Sequence, residues 1–291
     1  MIRNRLMYPL DRMAAAIGFS RSGIQKFLNR KPSKRDAADS HLKLEVLSIF
    51  KESRCTYGAP RLLQKLRQKS IPCGTGRIQK LQKILQIQGS SRRRKKLQTT
   101  DSAHDQPISP NLFQRNFRAT RTNGTWVSDI TYLRTAQGWL YLCIFLDLFS
   151  RKIVGRWLLA QRAERWSMSD NLDAVNTCNA LKMAIGRRGP QEGLIIHSDR
   201  GVQYASEEFR DLISENNFRQ SMSRKADCLD NAVAESFFGT LKSELSANVF
   251  GSHAEARREV FDYIECFYNT VRIHSYLGYK SPLEFEQNEA A

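Results

Sequence analysis

Three strand-like runs between residues 125 and 160 constrain this chain more than any other feature. "TWVSDITYLRT" (125–135) is dense in Thr, Val, Ile and Tyr, residues that suit a pleated, half-buried surface. "AQG" supplies a turn, "WLYLCIFLDLF" follows, and then "KIVGRWLLA". Together they predict an antiparallel meander. Further on, "GLIIHSD" (193–199) is a short apolar run ending in polar residues and Gly201. That profile predicts a buried strand whose carboxyl end opens a site, where ligands bind in open α/β sheets.

Elsewhere the apolar spacing turns helical. "SMSDNLDAVNTCNALKMAIGRR" predicts a helix covering the sheet. "SEEFRDLISENN" predicts another, with Ser206 as cap and Glu207 and Glu208 favourable in the first turn. In "DNAVAESFFGTLKSEL" (230–245), Val233, Phe237, Leu241 and Leu245 recur at spacing four, an amphipathic helix with Asp230 as candidate N-cap. Its other face carries Asn231, Glu235 and Lys242, since residues four and seven apart share a face. A long helix packing by Val260, Ile264 and Phe267 is expected over 252–277, and "GYKSPLEFE" closes the chain.

Three acids stand out on this framework: Asp129 in the first strand, Asp199 at the end of the later one, and Glu235 on the amphipathic helix, with 35 residues between the last two. A lone acid in a basic protein is usually a solvated charge or a cap. Acids in ordered, distinctive flanks on separate elements suit holding two divalent cations beside a phosphate, to stabilise the attacking and leaving oxygens of an in-line displacement. Magnesium fits such oxygen donors, whereas zinc favours nitrogen and sulfur. Asp147, in "LDLFSRK", reads equally as a turn cap or a metal ligand. His197 and Arg200 either orient Asp199 or serve the fold. Arg272 and His274 read as fold closure or contact with a DNA backbone.

The net charge of +17 is unevenly spread: residues 1–100 hold 24 Lys and Arg against 5 Asp and Glu, and residues 101–291 hold 22 against 24. A basic excess confined to the amino-terminal third implies a polyanion partner, because phosphate-bound counterions are released on contact. No apolar run is long enough for a membrane span, so nucleic acid is preferred to a membrane. The six cysteines show no framework spacing, which suits a reduced compartment and packing roles.

Within the basic third, "MAAAIGFSRSGIQKFLNR" reads as helix, turn, helix, with Gly18 in the turn, Ser20 as N-cap and Ile24, Phe27 and Leu28 as an apolar stripe. It is either a helix-turn-helix, whose second helix enters a major groove, or a plain helical hairpin. Helices are expected over 41–53, 59–69 and 74–87, with Pro60 in a first turn. Arg21, Lys26, Arg61, Lys65, Arg77 and Lys80 are candidate DNA contacts. So are Arg92, Arg93, Arg94, Lys95 and Lys96, in a polar stretch that reads as a linker.

"WVSDITYL", "GWLYLCIFLDLFSRKIVGRWL", "HSDRGVQYAS", "SMSRKADCLDNAVAESFFGTLKSE" and "YNTVRIHSYLGYKSPLEFE" together resemble the OrfB-type transposases of the IS-three insertion-sequence group, over residues 120–286. The resemblance implies an α/β RNase H-like core, a mixed five-stranded sheet flanked by helices, preceded by all-helical DNA-binding domains. It implies that Asp129, Asp199 and Glu235 are the catalytic, metal-holding triad, and that Asn231 and Lys242 contact the DNA end. Unlike retroviral integrases, the chain carries no paired-His, paired-Cys zinc module before the core.

The expected organisation is a helix-turn-helix-like segment (1–35), a second helical domain (40–90), a basic linker (91–118), the core (119–250) and a helical extension (251–291). The expected function is magnesium-dependent DNA cleavage and strand transfer at element ends, with manganese able to substitute. Expected partners are the terminal inverted repeats, target DNA, further copies of the chain and an upstream-frame product, in a bacterial cytoplasm and without a membrane. The rival readings are an inactive DNA-binding repressor and a nuclease that hydrolyses without joining.

Overall fold

The computed structural model describes residues 9–29, 34–90, 107–112, 119–160, 170–224 and 231–290. The chain divides into two compact units, Met1–Ile49 and Phe50–Ala291. In the first, α1 (Leu10–Ala16) and α2 (Arg21–Leu28) flank the turn at Gly18, whose φ of +71° suits a residue without Cβ. Ser20 caps α2 by accepting from the Gly23 N–H at 3.1 Å. The expected apolar stripe is corrected: Ile24 is buried, but Phe27 is 69 % exposed and Leu28 half-buried. Two short helices offer too little facing surface to cover all three. α3 (Lys34–Glu52) starts earlier than its sequence pattern indicated.

In the second unit, α4 (Ala59–Gln68) and α5 (Thr75–Leu85) pack together, with Leu62, Leu63, Leu66, Ile78 and Leu81 buried. Ile84, which shares the helical apolar spacing of Ile78 and Leu81, is nevertheless 53 % exposed. Pro60 occupies the first turn of α4, where its missing N–H costs nothing.

The meander forms as expected: β1 (Thr125–Thr135) pairs antiparallel with β2 (Gly138–Asp147), and β2 with β3 (Ile153–Ala160). β4 (Ile195–Ser198) joins the free edge of β1 in parallel, and β5 (Arg219–Met222) continues beyond it. The strand order is β3-β2-β1-β4-β5, with the two-residue β6 (Val249–Phe250) beside the far end of β1. "RQSM" of β5 has no alternation to mark it; parallel pairing with β4 makes it a strand.

α6 (Asp170–Arg188), the single turn α7 (Val202–Ala205) and α8 (Glu207–Glu215) contribute to a core with Trp126, Phe145, Ile196 and Met222. Ser206 caps α8 through the Phe209 N–H at 3.3 Å. Cys143 and Cys178 pack in this core, whereas Cys55 and Cys266 are exposed, so packing explains only some of the cysteines. β3 approaches α6 so closely that a Cβ on Gly155 would lie 2.7 Å from the Ala184 Cβ and 3.2 Å from its N. Gly155→Ala is therefore expected to lower stability by about 1–3 kcal/mol through overpacking, read in urea unfolding. An unchanged midpoint would show that the two layers separate freely.

α9 (Ala232–Glu244) packs on β1. The helix expected over 252–277 is corrected: α10 (His253–Phe261) runs into a π-helix (Asp262–Tyr268) and the chain leaves at Asn269. The Asn269 side chain bonds the edge of β3 instead, accepting from the Ile153 N–H at 2.9 Å and donating to its carbonyl at 3.0 Å. Val260, Ile264 and Phe267 are nonetheless buried as expected. α11 (Pro282–Glu289) opens with a capping box between Ser281 and Glu284. Its Glu286 receives Lys152 and Arg188 and so ties the helix to the β2–β3 turn and to α6. No helix among the described residues is long and apolar enough to cross a membrane.

Candidate active site

Successive residues of β1 face opposite sides of the sheet. Ser128 points into the α6–α8 side, where its hydroxyl meets the Tyr204 hydroxyl at 2.8 Å and donates to the Ile144 carbonyl at 2.9 Å. Asp129 therefore faces the other side, toward α9. Asp199 lies just past β4, where its Oδ1 accepts from the Gly201 N–H at 3.0 Å. Glu235 is an exposed residue in the first turn of α9.

Electrostatics tie these elements together. The Asp129 carboxyl is held well above the ordinary aspartate range, first by burial, then by the negative charges of Asp199 and Glu235, against a backbone bond from Ile130 and the attraction of Lys242. Lys242 is pulled down by desolvation more than Asp129 lifts it, although the residue remains exposed. Three acids from three elements thus crowd one region. Among the described residues, no three His, Cys, Asp or Glu side chains stand close enough to grip one ion by themselves. The all-oxygen donor set and its mutual repulsion fit magnesium, whose shell is completed by water and phosphate oxygens.

The N-cap position of α9 falls on Asn231, whose side chain does not cap the helix. Asp230, the expected cap, lies outside the described residues. Asn231 is buried and donates its Nδ2 to the Ser128 carbonyl at 3.1 Å, while its Oδ1 is buried without a hydrogen-bond partner. It thus fastens the start of α9 to the strand next to Asp129. Asn231→Ala is expected to slow strand cleavage about 10- to 100-fold, as loss of a ligand-orienting contact does, with DNA affinity little changed. A gel assay of cleavage rate against binding tests this; loss of affinity alone would make Asn231 a DNA contact instead.

The open readings of the neighbouring residues resolve toward the fold. Asp147 is fully buried and accepts from the Asn123 N–H at 2.8 Å and the Phe149 N–H at 2.9 Å, so it holds the turn after β2. His197 is fully buried between the hydroxyls of Ser221 (2.9 Å) and Ser223 (3.3 Å). Arg200 donates its Nε to the Ser223 carbonyl at 2.7 Å.

Among the candidate DNA contacts, Lys26 and Lys80 are exposed, and Lys65 and Arg77 half-buried. Arg21 is exposed but pairs with Asp11 at 3.2 Å. Arg61 does not stand on an open polar face: it is half-buried with its guanidinium 5.8 Å from the Tyr57 ring centre, and burial lowers its pKa. Arg92, Arg93, Arg94, Lys95 and Lys96 lie outside the described residues.

Arg272 and His274 take the fold-closure reading, in a cluster whose Glu244, Tyr263 and Tyr57 gave no signal in the sequence. Glu244, at the end of α9, is buried and receives Arg272 through two bonds, Nε at 2.8 Å and Nη2 at 2.7 Å, and the Tyr263 hydroxyl at 2.9 Å. Nearby, the Tyr57 hydroxyl accepts from the Ile273 N–H at 2.9 Å, pinning the carboxyl-terminal segment beside α4. Burial and the surrounding guanidiniums of Arg272, Arg61 and Arg151 hold His274 well below the usual histidine range, so it stays neutral.

A meander extended by two parallel strands, with acids on β1, just after β4 and on α9, defines an RNase H-like integrase core. Two models described as "Integrase core domain" match residues 119–228 and 235–289, and one described as "HTH-like domain" matches 36–95. The transposase InsF for insertion sequence IS3A of Escherichia coli K12 is 37 % identical over 294 residues, covering 99 % of this chain and 98 % of its own. The IS600 31 kDa protein of Shigella sonnei is 40 % identical over 276 residues, covering 94 % and 97 %. Among solved structures, similarity extends to the simian T-cell lymphotropic virus intasome (TM-score 0.45, 16 % identity, 76 % of this chain and 73 % of that one). It also extends to the catalytic domain of the Mos1 mariner transposase (0.42, 13 %, 57 % and 74 %). The chain belongs to the IS3 family of insertion-sequence transposases.

Proposed function

We propose that this transposase cuts and joins DNA at the ends of its element by magnesium-dependent phosphoryl transfer, with Asp129, Asp199 and Glu235 as the metal-holding carboxylates. What supports this reading is that acids on β1, after β4 and on α9 bear on one another: burial first, and then the charges of Asp199 and Glu235, lift the Asp129 carboxyl out of its ordinary range. Carboxylates that repel one another in the free protein are an arrangement that cations relieve. Two ions bound there would polarise the phosphoryl oxygens and activate the attacking hydroxyl.

The chain's own residues supply positioning and charge. Asn231 holds α9 against β1 beside Asp129. Lys242, exposed on the same helix, meets a DNA phosphate. Water attacks one phosphodiester and displaces a 3′ hydroxyl; that hydroxyl then attacks a second phosphodiester, forming a new 3′–5′ phosphodiester and displacing the second strand's own 3′ oxygen as a free hydroxyl, with no covalent bond to the protein. The basic helical regions, including Arg21, Lys26, Arg61, Lys65, Arg77, Lys80 and the cations from Arg92 to Lys96, grip terminal and target DNA. Several copies act together on the ends, with an upstream-frame product as a further partner, in a bacterial cytoplasm.

Labelled terminal oligonucleotides incubated with magnesium or manganese test the proposal. Joined products longer than the input are expected. Shorter products alone would make the protein a nuclease, and a mobility shift without products would make it a repressor.

A further inference from the structure

We propose that α5 is a base-reading helix whose glutamine face selects adenine–thymine pairs in the major groove; this rests on the DNA-acting reading above. The face is unusual in composition. Gly76, Gln79, Lys80, Lys83 and Gln86 are exposed, Gln82 half-buried, and Ile78 and Leu81 buried on the opposite side. Gln82, Ile87 and Gln88 stand beside these exposed residues on the same open face. From residue 53 to residue 100 the sequence holds no Asp or Glu. A merely solvated helix face mixes acids with its cations, and a face built only to hold phosphates needs no amides.

Glutamine supplies what lysine lacks. Its amide donates and accepts side by side, matching the N7 acceptor and N6 donor that adenine alone presents in the major groove. Lys80 and Lys83 alternate with the glutamines and supply the phosphate contacts that set register. Ile84, 53 % exposed next to Lys80, offers an apolar surface for the thymine methyl group. Gly76 leaves the first turn bare: a Cβ there would meet no atom within 4 Å. α4 packs behind α5 and leaves this face open, as the first helix of a helix-turn-helix does.

The test uses the full chain and a pool of duplexes randomised over one helical turn, selected for binding and then sequenced. Wild type is expected to enrich A·T pairs at two or more fixed positions, each preferred roughly 5- to 100-fold over G·C. Gln79→Ala with Gln86→Ala should erase the preference at those positions while keeping affinity for unselected duplex. Lys80→Ala with Lys83→Ala should weaken all sequences alike and reduce the slope of log affinity against log salt by about two. Gln79→Glu should move the preferred base at one position from adenine to cytosine, a gain that misfolding does not produce. No A·T enrichment by wild type, or an unchanged profile in both glutamine variants, would each overturn the inference. Strand joining on a fixed terminal oligonucleotide, run in parallel, separates the failures. Joining with an unchanged profile sinks only the base-reading helix; no joining sinks the transfer chemistry.

Discussion

Asp199→Asn is expected to lower strand cleavage and joining by about three orders of magnitude or more while leaving DNA affinity nearly intact, because charge stabilisation at the phosphoryl group disappears and phosphate contacts elsewhere remain. Asparagine keeps the Oδ1 that accepts from the Gly201 N–H, so the turn after β4 should survive the change. The same substitution should raise thermal stability in the absence of divalent ions, since Asp199 is the largest charge lifting the Asp129 carboxyl. The sign follows from linkage. An acid whose pKa is raised by folding is destabilising when ionised, and that penalty shrinks as pH falls from its folded-state value toward the ordinary aspartate range. The variant should therefore exceed wild type in melting temperature at neutral pH, and the gap should close on acidification. Magnesium should stabilise wild type and do far less for the variant, by mass action on the folded state. Gel assays and melting curves with and without magnesium read these outcomes. Strand transfer surviving in the variant would overturn the metal assignment.

Arg272→Ala is expected to cost about 3–5 kcal/mol, because it strands the buried Glu244 carboxylate without a counter-charge. Both side chains of the pair are 4 % exposed, so solvent cannot take over the role of the lost partner. The Tyr263 hydroxyl alone would remain on Glu244. Replacing Arg272 and Glu244 together by Met and Leu should recover most of the loss, since a well-packed apolar pair needs no compensation. Activity should fall with stability in the single variant, as Glu244 ends the helix that carries Glu235 and Lys242 at its other positions. Urea unfolding of the single and double variants reads the cycle. A cost under about 1 kcal/mol for Arg272→Ala would mean that the pair exchanges with water.

Much of the core was legible because its signals are local. β1 carries its β-branched residues over 125–135 and forms over Thr125–Thr135. Ser206 caps α8 and Ser20 caps α2, as their positions before apolar runs indicated. β5 and the π-helix were not legible, because the first is defined by its neighbour β4 and the second ends where Asn269 turns to bond β3. Phe27 and Ile84 carry helical apolar spacing yet remain exposed, since spacing names a face without supplying the surface that covers it.

By itself the sequence determined where most of the strands and helices run, the family to which the chain belongs, and the three acids worth testing. Each depends on residues adjacent along the chain, or on motifs short enough to survive as text. Only the tertiary structure decided what the polar side chains that meet distant residues do. Asp147 turned inward to hold a loop, His197 settled between two serines, Arg61 lay beside Tyr57, and Glu244 closed on Arg272. A charge takes its role from what faces it and from how much water is left around it, and folding sets both by bringing together residues far apart in the chain.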